Sequence, residues 1–172
     1  MLNSNCRAKL AYVYGSIRGF ALTELIVVVA IIGILLTIGT MNFHAWNVKS
    51  QIERETRELY TDINRLRLDA IHTKKQQSIM LEPNQYVLKN YSTENENKFA
   101  GRVLATKPVK YRLSRPAADF SGTYFLFDIR GFVDIGATIV VNPIGSGASY
   151  DCIVLSTGRT NMGKMNGGTC EY

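Results

Sequence analysis

The sequence predicts an α+β fold, one long N-terminal helix packed on a C-terminal antiparallel β domain, and three observations carry that prediction. From Ala21 to Thr40 the chain is almost wholly apolar, with Glu24 as its one ionisable residue. Beyond it, apolar residues recur at helical spacing as far as Ala70, and no proline interrupts Phe20 to Lys75. From Ser78 onward the pattern changes to short β-branched and aromatic runs separated by turn residues.

The apolar run comes first. Twenty residues, Ala21 to Thr40, span ~30 Å as a helix, about one hydrocarbon thickness. A carboxylate within such a run costs ~2.5–3.5 kcal/mol on insertion scales, so Glu24 is expected to have a partner and a task. Arg7, Lys9 and Arg18 precede the run and no acid precedes Glu24. Positive flanks stay on the cytoplasmic side, which places the N-terminus inside and everything after Thr40 outside. A secretory signal peptide should not carry a carboxylate at the head of its apolar core, and no small-residue cleavage site follows Thr40. A plain single-pass anchor leaves Gly19 and Glu24 without a role.

The helical pattern then turns amphipathic. Val48, Ile52, Leu59, Ile63, Leu66 and Ala70 form one apolar stripe, with Glu55 or Thr56 at the missing step and charged residues between. Strands are expected at Ser78–Leu81 and Tyr86–Leu88, joined through Glu82, Pro83, Asn84 and Gln85. A strictly alternating, half-buried strand is expected at Val109–Leu113 and an aromatic-rich one at Thr123–Ile129, followed by a turn at Arg130 and Gly131. Ala137–Val141 and Cys152–Ser156 complete the set around a flexible loop at Pro143–Ser149. The glycine-rich tail from Gly163 to Tyr172 is expected to fray unless Cys170 ties it down.

Removing Arg7, Lys9 and Arg18 from the 20 basic residues leaves 17 against 14 acidic, a net charge of +3 after residue 19. That balance alone does not argue for a nucleic-acid partner. Beyond Cys6 the cysteines are Cys152 and Cys170. An even pair in an exported domain reads as a disulfide, and without a neighbouring histidine it makes a poor metal site.

Gly19, Phe20 and Glu24 followed by the apolar helix resemble the processing signal of type IV prepilins and type II secretion pseudopilins. That resemblance implies cleavage by a prepilin peptidase between Gly19 and Phe20, N-methylation of Phe20, and a role for Glu24 in setting subunit register. It also implies a ladle-shaped fold: leader 1–19, transmembrane half-helix 20–41, amphipathic half-helix 42–76, periplasmic β domain 77–172. Thr23–Glu24 departs from the commoner isoleucine–glutamate. Phe127–Phe132, Ile139–Val141 and Ile153–Thr160 are similar to the strand layout of the GspH/FimT minor pilins and pseudopilins.

No catalytic motif stands out. His44 lies just past the apolar run beside Phe43 and Trp46, and His72 lies on the charged end of the helix; neither has a cysteine or carboxylate at ligand spacing. There is no nucleophile elbow, no paired-histidine zinc motif and no phosphate loop. No enzyme, metal or cofactor is expected. Arg102, Lys107, Lys110, Arg112 and Arg115 form an acid-free basic stretch, and a strand there would put Lys110 and Arg112 on one face. Such a face neutralises DNA phosphates or merely discourages edge pairing. Arg159 matches part of a Gly-Arg-x-Arg pattern in DNA-binding relatives of the family, but Asn161 replaces the second arginine, with Lys164 as a partial substitute. The bland alternative is a positive-φ turn at Gly158 with Arg159 facing water.

The expected function is a structural minor pilin or pseudopilin of the bacterial inner membrane, with a periplasmic domain that enters a filament. The implied partners are the prepilin peptidase, other pilins or pseudopilins, the inner-membrane assembly platform and the lipid bilayer. A DNA-binding minor pilin is the first alternative, and a membrane-anchored periplasmic enzyme or sensor the second.

Overall fold

A computed structural model describes residues 21–93, 96–116 and 118–172, with the side chains at 38–42 excepted. The chain divides into two compact units, Met1–Met41 and Asn42–Tyr172. Helix α1 (Leu22–Thr73) is continuous and supplies residues to both.

In the first unit the described part of α1 exposes Leu22, Leu25, Ile26, Val27, Val28, Val29, Ile31, Ile32, Ile34, Leu35 and Leu36. Consecutive exposed positions occupy every direction around a helix, so among the described residues this stretch presents apolar side chains on every side. Among the described residues no helix is long and apolar enough to cross a membrane. The run read from the sequence ends at Thr40, and its side chains are described only as far as Thr37.

The second unit is α+β. One antiparallel sheet has the order β3 (Arg102–Pro108), β2 (Gln85–Asn90), β1 (Gln77–Leu81), β5 (Thr123–Phe127). The other runs β4 (Leu113–Ser114), β6 (Ala137–Val141), β7 (Cys152–Leu155), β8 (Thr160–Asn166), β9 (Thr169–Glu171). The expected hairpin pairs Leu81 with Tyr86 across Pro83 and Asn84. The stripe Ile52, Leu59, Ile63, Leu66 and Ala70 is buried, as its spacing predicts. It packs in one core with Ile79, Leu81, Phe125 and Phe127 of the first sheet and Ile139, Val141, Ile153 and Leu155 of the second. Each strand contributes alternate residues, so one helix face closes both sheets.

The back of the second sheet has its own small core of Val140, Cys152, Met165 and Cys170. Cys152 and Cys170 are joined by a disulfide, as the sequence predicts. The tail from Gly163 to Tyr172 does not fray. It is the end of β8, a turn at Gly167 and Gly168 with positive φ, and β9. Gly163 is required where these strands cross, because an added Cβ would run into the carbonyl oxygen of Glu171. Buried Asp151 accepts the Met165 N–H at 2.7 Å and fixes the same hairpin.

The strand expected at Val109–Leu113 is absent. β3 lies earlier in the chain, Leu113 opens the short β4, and 109–112 form an irregular link. Cys152–Leu155 is not the last strand either, and Gly158 does not have positive φ. The β7–β8 turn is closed by reciprocal bonds between Ser156 and Arg159, at 2.8 and 3.3 Å.

Gly163→Ala is expected to destabilise the chain by roughly 1–3 kcal/mol through overpacking. Gly158→Ala should cost far less, since the nearest atom to its Cβ is a Phe132 ring carbon at 3.6 Å. Reducing Cys152–Cys170 should cost about 3 kcal/mol of loop-closure entropy. Denaturant titration of both variants, and of the parent with and without reductant, checks all three.

Candidate functional site

Gly19 and Phe20 lie outside the described residues. Glu24 lies in the first turn of α1, where its N–H donates to the Ala21 carbonyl at 2.9 Å and its side chain is exposed. It is the sole ionisable side chain among the exposed aliphatics that follow. A carboxylate near a helix N-terminus is favoured by the helix dipole.

The basic residues do not form one surface. Arg102 opens β3 and is exposed. Lys107 Nζ donates to Glu58 at 2.9 Å and to Asp62 at 2.7 Å. Lys110 directs its ammonium to the Gln51 side-chain oxygen and lies over the Tyr111 ring. Arg112 forms a two-pronged pair with Asp119. The shared strand face expected of Lys110 and Arg112 is therefore corrected: they sit in an irregular link and their charges are engaged within the chain. Arg159 is exposed in the β7–β8 turn. Lys164 lies three residues beyond Asn161 on β8 and so on the opposite face of the strand. It lies across from Glu171 of β9.

The helix carboxylates do what the alternation pattern concealed. Glu55 accepts the N–H groups of both Lys110 and Tyr111 at 3.1 Å, which removes donors a strand ladder would use. Glu53 accepts the Ser149 N–H at 2.7 Å and so ties down the loop after β6. That N–H holds the Glu53 carboxyl below its ordinary value, with smaller help from Lys49 and Arg57 against partial burial. Asp62, itself buried, accepts from Tyr86 Oη at 2.6 Å as well as from Lys107. Farther along α1, Arg67 donates to the Gly158 and Ser156 carbonyls at 2.9 and 3.4 Å. Burial pulls the Arg67 guanidinium below its ordinary value.

Sequence reasoning missed these four clamps. One signal was present for Glu55, a carboxylate beside the gap in an otherwise apolar stripe. Nothing local marks Asp62 as the partner of Lys107, 45 residues away.

Chemically the arrangement binds helix to sheet. A groove of about 340 Å³ lies beside the clamp, lined by Asp62, Arg65, Leu66, Leu88, Leu104 and Lys107 among others. Among the described residues no group of three or more His, Cys, Asp or Glu side chains is placed to hold a metal ion. Comparison with protein-family models, with curated proteins and with solved structures returns no match to this chain.

The bond to Asp62 raises the Lys107 ammonium above its ordinary value, against partial burial. Burial and then the same carboxylate push the Tyr86 hydroxyl up. Both groups hold their protons more tightly folded than unfolded. Their stabilisation is complete below the unfolded values near ~10 and is lost as pH rises through the folded ones. Stability should fall in alkali from about pH 10, and Tyr86→Phe should flatten that decline; thermal melts across the alkaline range test it. Separately, Glu55→Ala orphans two N–H groups and should cost ~1–3 kcal/mol for each left buried. Amide exchange at Lys110 and Tyr111 should quicken most.

Proposed function

We propose that this chain is a membrane-anchored structural subunit of a filament built from the bacterial inner membrane. Within that class we read it as a minor pilin or pseudopilin of a type IV pilus or type II secretion system. A peptidase removes residues 1–19 at the cytoplasmic face, and Phe20 becomes the methylated N-terminus. Residues 20–41 hold the chain in lipid until an assembly platform extracts it, and the β unit is carried in the periplasm.

The observation that carries this reading is the uncovered aliphatic start of α1, exposed on every side and bearing only Glu24 as a charge. A helix apolar all round needs a surrounding bilayer or a surrounding set of like helices. A filament subunit meets the first before assembly and the second afterwards. Glu24 then has a task in both settings. In lipid its cost is relieved by the terminal ammonium of a neighbouring subunit, and that pairing sets axial register. The second support is the nature of the clamps, which join helix to sheet and make the β strands and the second half of α1 one body.

Replacing Gly19 with a bulky residue is expected to block cleavage and leave the full-length chain in the membrane. Glu24→Ala should be cleaved normally yet enter sheared filaments poorly, whereas Glu24→Asp should retain part of the function. Immunoblots of membrane and filament fractions separate the outcomes. Normal incorporation of Glu24→Ala would sink the register role.

A further inference from the structure

We propose that Phe43 and Trp46 form an aromatic anchor for the bilayer interface, seated among lipid headgroups at the outer boundary of the membrane. The proposal rests on the membrane reading above and adds the residues that fix how far the helix emerges.

Every described side chain from Phe43 to Trp46 is exposed, and cover by the chain begins only at Asn47. Phe43 is 63% and Trp46 62% exposed, against 0% for Ile52 two turns on. At about 100° per residue, Phe43 and Trp46 fall on the side of α1 away from Val48 and Ile52. The β unit therefore cannot cover them, since it packs on the Val48–Ile52 side. The two rings are already together, with centroids 6.1 Å apart and planes tilted by 35°. They make one preassembled apolar surface pointed at whatever surrounds the helix.

Polarity around the pair identifies that surrounding as lipid headgroups. Phe43 follows Thr40, the last residue of the apolar run, by less than one helical turn. Just beyond Trp46 the helix becomes polar, and Asn47 accepts a hydrogen bond from the Gln51 side chain. Between the aliphatic run and the charged helix that begins at Lys49, Asn42, Phe43, His44, Trp46 and Asn47 mix amide and ring side chains, the blend of polarity met on leaving a bilayer. A tryptophan suits that zone because its ring is apolar while its indole N–H still needs a polar partner.

Trp46 is the only tryptophan of the chain, so its fluorescence reports this position alone. The full chain would be reconstituted in phosphatidylcholine–phosphatidylglycerol vesicles containing lipids brominated either near the headgroup or near the chain end. Trp46 should shift to the blue on reconstitution and be quenched more by the headgroup-proximal bromines. A chain carrying Trp46→Phe and Thr61→Trp, with the probe on an exposed position of the amphipathic half, should be quenched by neither. If the chain floats with vesicles but neither lipid quenches Trp46, the anchor is overturned and the membrane reading stands. Stronger quenching from the chain end would also overturn it, placing the pair in hydrocarbon. A chain that does not float removes both readings.

Discussion

One apolar stripe on one helix closes two sheets. Each sheet of the β unit has an apolar face, and the residues from Ile52 to Ala70 meet both at once. Without that stripe, Phe125, Phe127, Ile139 and Ile153 would lose their cover together, so the helix is part of the domain's core. Its polar edges add direction to the contact. Glu53, Glu55, Asp62 and Arg67 each hold a backbone segment or a strand side chain at a set place along the helix. Burial supplies most of the free energy and these bonds fix the register, because a slip of one helical step would leave the buried Tyr86 hydroxyl and the part-buried Lys110 and Tyr111 N–H groups without acceptors.

The same helix behaves differently at its two ends. From Asn47 onward one face of it is covered within the second unit; before Thr37 its described side chains are exposed. A carboxylate in the first turn of the uncovered stretch is the feature least explained by a passive anchor. On the filament proposal, its cost in lipid is offset when a cation from another subunit meets it, and that pairing would set subunits in line.

The sequence made the helix, its buried stripe and the disulfide legible, because each depends on spacing or on residue type. Val109–Leu113 misled because its alternation is real but its N–H groups at Lys110 and Tyr111 go to Glu55. Periodicity does not reveal a donor captured from another element. The C-terminal hairpin was hidden for a different reason. Gly163, Gly167 and Gly168 look like a flexible tail, yet one allows a close strand crossing and two make the turn. Lys107 looked free because its acidic partners Glu58 and Asp62 lie about fifty residues earlier, on α1. Gly19 and Phe20, on which the processing claim rests, are legible only as a motif.

Processing as a filament subunit is tested by the intact mass of the chain recovered from membranes that contain a prepilin peptidase. The account predicts a chain that begins at Phe20 and carries one added methyl group. A chain still beginning at Met1, or cut anywhere other than after Gly19, would contradict it.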